Sequence, residues 1–125
     1  MSEKLQTLII EDEELARNLL RSYLKDHPDI EVIGECENGF DGIKTINEKK
    51  PDLVFLDIQM PKITGFEMIE LLDYKPRIIF TTAYDQYALK AFELNAVDYL
   101  LKPFSKDRLL SAVEKVQHRI ANEED

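Results

Sequence analysis

Five short apolar runs, mostly β-branched, recur along the chain, and stretches of helical period fill most of the intervals between them. The runs are Leu8–Ile10, Ile30–Ile33, Leu53–Leu56, Ile78–Phe80 and Val97–Leu101. This alternation constrains the fold more than any other property. A strand, a helix and a second strand in succession build a parallel sheet with helices packed on its faces. Leu8–Ile10, Leu53–Leu56 and Ile78–Phe80 are apolar at consecutive positions, as strands covered on both sides require. The expected class is α/β, a doubly wound five-stranded parallel sheet.

Leu15, Leu19 and Tyr23 recur at i, i+4, i+8, which predicts a helix with that stripe toward the core. Phe66, Ile69 and Leu72 mark a shorter helix after Gly65. Leu109, Val113, Val116 and Ile120 mark a last helix, with Ser105 as its N-cap. The 125 residues suit one domain, expected over residues 1–121, with 122–125 a polar tail or the start of a linker. His27 and His118 lie in polar stretches and read as surface residues.

Acidic residues number 25 against 16 basic, for a net charge of -9. That balance disfavours direct binding to DNA or to an anionic membrane, and permits metal cations and basic protein surfaces. Cys36 is the single cysteine, so no internal disulfide forms. No apolar run approaches the ~20 residues of a membrane span, and the N-terminal stretch lacks the pattern of a signal peptide. A soluble cytoplasmic protein is expected.

In open parallel sheets the functional groups lie beyond the carboxyl ends of the strands. After the first run come Glu11, Asp12, Glu13 and Glu14. A phosphate-cradling loop would be rich in glycine. This loop repels a nucleotide phosphate and attracts a cation, against the dinucleotide-binding variants of the fold. Glu13 and Glu14 also suit a helix N-terminus through its dipole. Asp57 ends the third run. If the first and third strands are neighbours, Glu11, Asp12 and Asp57 converge, and a divalent cation relieves their repulsion. Oxygen ligands alone favour Mg²⁺ or Mn²⁺ over zinc. Thr81, Thr82 and Ala83 follow the fourth run, offering hydroxyl and N–H donors, and Lys102 follows the fifth. Donors, a cation and a metal around Asp57 suit a phosphoryl group on that carboxylate.

These stretches resemble the receiver domains of bacterial response regulators over essentially the whole chain. The matching segments are Leu8–Arg17, Pro51–Glu67, Ile78–Asp85 and Ala96–Phe104. The resemblance implies a flavodoxin-like (βα)5 fold with strand order 2-1-3-4-5. It implies Asp57 as phosphoacceptor for a histidine on a sensor histidine kinase, with Glu11, Asp12, Asp57 and the backbone carbonyl of Gln59 around Mg²⁺. Thr82, the Ala83 N–H and Lys102 would contact the phosphoryl group, and Tyr99 would move with Thr82 as a switch. Pro103 would follow a cis peptide bond. The switched surface would comprise the fourth helix, fifth strand and fifth helix, with Leu89, Lys90, Glu93, Leu94, Asp98 and Tyr99 as exposed candidates.

Two departures from the commonest pattern matter. Glu11 stands where Asp is commoner, and its longer arm can serve the metal directly or through water. Gln59 and Tyr84 lie where receivers vary and tune phosphoryl lifetime, with Tyr84 expected to shield the acyl phosphate from water. The stretch Thr81–Phe104 is most similar to regulators with a LytTR-type DNA-binding output (the LytR/AlgR family). Any DNA contact would then be made by an output domain outside this chain. Ala112 is expected at the position where receivers tied to winged-helix outputs carry a basic residue for a symmetric dimer, which puts that dimer in doubt. A phosphatase with an aspartate nucleophile would need a general acid at Gln59, which an amide cannot be. A receiver that works without phosphate, as a protein-interaction module, is the other alternative.

Overall fold

The computed structural model describes residues 4–124. Strands β1 (Leu5–Ile10), β2 (Ile30–Cys36), β3 (Leu53–Asp57), β4 (Arg77–Thr82) and β5 (Asp98–Leu101) alternate with helices α1 (Glu14–Leu24), α2 (Gly39–Lys49), α3 (Gly65–Glu70), α4 (Ala88–Glu93) and α5 (Lys106–Glu124). A 3₁₀ turn, Asp85–Tyr87, leads into α4. All pairings are parallel and the order is β2-β1-β3-β4-β5, the order that the resemblance to receiver domains implied. The chain winds one way from β1 to β2 and the other way from β3 to β5. The crevice where the winding reverses lies between β1 and β3.

Strand parity sorts the apolar side chains into two layers. Leu8, Ile10, Val54, Leu56, Ile78 and Phe80 face one way and pack with Ile46, Met68 and Ala91 from α2, α3 and α4. Ile9, Leu53, Phe55, Ile79 and Leu100 face the other way, against Leu20 and Leu24 of α1 and Leu109, Val113 and Val116 of α5. Each such fully buried side chain contributes about 1.5–3 kcal/mol relative to exposure. The central strands are buried on both faces over Thr7–Ile10, Leu53–Asp57 and Ile78–Thr82, which is why those runs carry no alternation.

In α1 the structure corrects the expected stripe. Leu15 is 83% exposed and Leu19 42% exposed, and Tyr23 is half-buried. Leu20 and Leu24 face the sheet instead, together with Arg17. Both stripes have helical period, and the sheet takes the one beside it. Arg17 is tolerated there because its guanidinium finds oxygen partners.

The other helices follow their sequence signals. Ser105 Oγ accepts the Arg108 N–H at 3.1 Å, capping α5, whose inward stripe is Leu109, Val113 and Val116 with Ile120 at its edge. The helix continues through Glu124. In α3 a capping box joins Thr64 and Glu67, one residue before the start read from the sequence. Gly65 and Met68 are the buried residues of that helix, and Leu72 packs just beyond its end. His118 is exposed, while His27 is half-buried and its Nδ1 accepts the Asp29 N–H.

Candidate functional site

Glu11, Asp57 and Lys102 extend the strand faces of Ile9, Phe55 and Leu100, so parity alone aims them to the same side of the sheet. The paired register Ile10↔Leu56 sets the ends of β1 and β3 level. Glu11 is fully buried and Asp57 is 4% exposed, while Asp12 is half-buried at the rim. One carboxylate oxygen from each of the three lies within 4.8 Å of the others.

Lys102 is the cation that faces them. Its Nζ donates to Glu11 Oε1 at 2.6 Å and to Asp57 Oδ1 at 3.5 Å. The other Glu11 oxygen accepts the Glu13 N–H at 3.1 Å. Burial, then the Glu11 charge, push the Asp57 carboxyl up to about 8 against the pull of Lys102. Burial alone would lower the Lys102 ammonium, but the Glu11 hydrogen bond and the Asp57 charge outweigh it and hold it above the usual lysine value. Three carboxylates against one ammonium leave an excess of negative charge. A hard divalent cation fits this donor set, which consists of oxygens alone.

Local backbone contacts hold the carboxylates in place. The Arg17 guanidinium donates to the Glu11 carbonyl at 2.8 Å and to Glu37 at 3.2 Å, tying α1 to the end of β1. The Gly65 N–H donates to the Ile58 carbonyl at 2.8 Å, folding the loop after β3 back on itself. A Cβ on Gly65 would stand 2.6 Å from the Asp57 carbonyl oxygen, so glycine is required by close approach. Sequence reading missed Arg17, whose signal was a charged residue in the Leu20–Leu24 stripe, and it used Gly65 only as a helix start.

The expected phosphoryl contacts lie around this pocket. Thr82 is buried, its Oγ1 accepts the Tyr84 N–H at 3.2 Å, and its carbonyl accepts the Lys102 N–H at 2.7 Å. By parity Thr82 continues the face of Phe80, whereas Thr81 continues that of Ile79. Thr81 Oγ1 is buried and has no hydrogen-bond partner among the described residues. Ala83 and Tyr84 are exposed. Tyr99 is half-buried, and its hydroxyl donates to the Tyr84 carbonyl. The Lys102–Pro103 peptide is cis. Gln59 is exposed, with its side-chain amide on the Tyr87 hydroxyl rather than on any site carboxylate.

Residues 7–114 match the family described as the response regulator receiver domain. The chain is a receiver domain of that family. This receiver is 48% identical over 115 residues to the transcriptional regulatory protein BtsR of Escherichia coli strain K12, covering 90% of this chain and 48% of that protein. It is 51% identical over 119 residues to an uncharacterized response regulatory protein of Vibrio cholerae, covering 92% of this chain and 50% of the relative. The receiver thus spans about half the length of the curated relatives it matches. Among solved structures it is similar to the response regulatory domain of mrkE from Klebsiella pneumoniae, with 35% identity, a TM-score of 0.83, and 92% and 97% of the two chains covered. The REC domain of AraT from Geobacillus stearothermophilus gives 30% identity and a TM-score of 0.85, with 97% and 98% covered.

Two expectations about the receiver's outer face need correction or refinement. Ala112 is fully buried, so it offers no side chain to a dimer. It belongs to the inward stripe of α5, one helical step from Leu109 and Val116. Two cations of α5, Arg108 and Lys115, are paired to Asp98 of β5. Leu89, Lys90 and Glu93 are exposed as expected, while Leu94, Asp98 and Tyr99 are half-buried. Phe92, 79% exposed, joins that surface. Among the described residues, no helix is long and apolar enough to cross a membrane.

Proposed function

We propose that this receiver, residues 1–121, is the phosphoacceptor module of a two-component regulator, with Asp57 the acceptor. An Asp57 oxygen bonds to the phosphorus of a phosphohistidine on a sensor histidine kinase, and the phosphorus–nitrogen bond breaks. The observation that carries this reading is the burial of Glu11 and Asp57 beside Asp12 and Lys102 at one strand-end crevice. Glu11, Asp12, Asp57 and the Gln59 carbonyl would hold Mg²⁺ or Mn²⁺, which when bound neutralises charge on the carboxylate and the phosphoryl group.

The remaining groups act on the product. Lys102 leaves Glu11 for a phosphoryl oxygen, Thr82 turns its hydroxyl inward, and the Ala83 N–H donates to another oxygen. Tyr99 then gives up the Tyr84 carbonyl and moves toward the space Thr82 vacates. Tyr84 screens the acyl phosphate from water. Exposed Leu15 and Leu19, with an apolar groove of about 180 Å³ between α1 and Pro103–Phe104, give the kinase a surface beside the site.

The chain accepts and slowly loses a phosphoryl group and is not a dedicated enzyme. Its readout surface is α4, β5 and α5, which is also the candidate surface for a homodimer. The similarity to BtsR, named a transcriptional regulatory protein, supports a role in transcription regulation; a LytTR-type DNA-binding output and action in the cytoplasm extend that reading from the resemblance of Thr81–Phe104.

Intact mass after incubation with a small phosphodonor and Mg²⁺ tests the acceptor. A phosphoryl-sized gain in wild type and none in Asp57→Ala is expected. A gain in both removes Asp57 from its role, and a gain in neither leaves an interaction module that works without phosphate.

A further inference from the structure

The loop after β3 and the segment after β4 meet at the mouth of the Asp57 site, and one polar side-chain contact joins them. The Gln59 amide donates to the Tyr87 hydroxyl at 2.7 Å. Both partners lie outside regular strands, Gln59 two residues past Asp57 and Tyr87 at the end of the 3₁₀ turn.

Tyr87 is well placed to order its partner, because its ring is already fixed. It stands edge-on to Phe66 at 5.7 Å, and Phe66 stands edge-on to the fully buried Phe80 at 5.0 Å. On its other side it meets Tyr84 edge-on at 6.2 Å. A line of rings therefore runs from the core to the mouth of the site, and Tyr87 is the member that holds Gln59. An exposed amide ordinarily samples many rotamers, and a pre-placed acceptor removes much of that freedom.

We propose that Tyr87 is a positioning residue that sets how long a phosphoryl group stays on Asp57. It does so by holding the Gln59 amide and the Tyr84 ring at the mouth. The inference rests on Asp57 being the phosphoacceptor. In the hydrolysis it governs, a water oxygen bonds to phosphorus while the bond from phosphorus to the Asp57 oxygen breaks. Asp57 leaves as carboxylate, and the water proton departs with inorganic phosphate. The water enters roughly opposite the leaving oxygen, from the open side of the site. With Tyr87 in place, Gln59 is engaged elsewhere and Tyr84 is braced. Without its hydroxyl, Gln59 is free to turn toward that water and orient it.

Tyr87→Phe keeps the ring contacts and removes only the hydroxyl. The chain is loaded with a small phosphodonor and Mg²⁺, freed of donor, and followed by intact mass; wild type, Tyr87→Phe, Gln59→Leu and the double variant are compared. Tyr87→Phe is expected to lose phosphoryl roughly three- to tenfold faster than wild type, with its unfolding midpoint in EDTA unchanged. In the Gln59→Leu background the same change is expected to have no further effect, because the partner is already gone. A wild-type rate in Tyr87→Phe overturns the inference while leaving the acceptor role intact, as does an undiminished Tyr87→Phe effect in the Gln59→Leu background. Wild type that gains no phosphoryl mass overturns both.

Discussion

The Lys102 ammonium lies 2.6 Å from Glu11 and 3.5 Å from Asp57, so it is engaged by the carboxylate that is not the proposed acceptor. Glutamate at position 11 has the reach to make that contact while its second oxygen takes the Glu13 N–H. Lys102→Met therefore strips the counter-charge from buried Glu11 and removes the cation that pulls the Asp57 carboxyl down. It should destabilise the metal-free protein by about 2–4 kcal/mol at pH 7.5. Urea unfolding in EDTA checks this, and added Mg²⁺ should restore part of the loss. A variant as stable as wild type would mean that Glu11 and Asp57 do not need this lysine.

Asp57→Asn should act in the opposite direction. The folded state pushes the Asp57 carboxyl up to about 8, so it binds a proton more tightly than the unfolded chain. Wild-type stability then falls as pH rises from about 4 to about 8, and the asparagine variant escapes that fall. In EDTA the variant should match wild type near pH 4 and exceed it by about 1–3 kcal/mol at pH 8.5. A constant difference across pH would contradict the burial of a carboxyl at this position.

Asp98 is the reverse case. Burial would raise its carboxyl, but two hydrogen bonds from Arg108, the Tyr99 N–H and Lys115 outweigh it and hold it below the usual range. Its contribution is present at neutral pH and disappears as pH falls through the depressed folded value. Arg108→Ala should cost about 1 kcal/mol at pH 7, since the guanidinium is partly exposed and screened, and less at pH 3. Thermal unfolding at the two pH values separates this pair from simple packing.

Gly65→Ala should disturb the site without touching a charged group. The added carbon meets the Asp57 carbonyl, which is backbone and cannot swing aside. A cost of about 2–3 kcal/mol is expected, together with weaker Mg²⁺ binding by isothermal titration. Unchanged Mg²⁺ affinity would show that the loop after β3 adjusts independently of the carboxylates.

Leu89, Phe92 and Leu101 are exposed apolar residues of the readout face, while Arg108 and Lys115 are occupied within the chain by Asp98. Sedimentation with a phosphoryl analogue should show the mass of a dimer, and Phe92→Asp should abolish it. No change in mass on adding the analogue would sink phosphorylation-driven dimerisation of this chain.

Much of this was legible from residue order. The consecutive apolar runs at Leu8–Ile10, Leu53–Leu56 and Ile78–Phe80 marked the buried strands. Glu11, Asp12 and Asp57 could be joined once two of those strands were taken as neighbours. The Thr64–Glu67 spacing was also a readable start signal, though the helix was begun at Gly65. What period could not decide was which of two adjacent stripes on α1 meets the sheet, because Leu15–Leu19 and Leu20–Leu24 are equally apolar. Ala112 misled for a related reason: alignment with relatives fixes a position along a helix, and rotation about its axis decides what the side chain meets. The Gln59–Tyr87 contact depends on the course of two loops, for which sequence has no period.

The end of α5 is held by Arg77, the first residue of β4, through Glu123. The helix is 19 residues, about 28 Å long, and runs from the carboxylate pole of the sheet back to the opposite pole. The carboxylates and the far end of α5 are thereby separated by the thickness of the domain. A contact made at that far end reaches Asp57 only along the helix or across the sheet, so the two poles answer to separate demands.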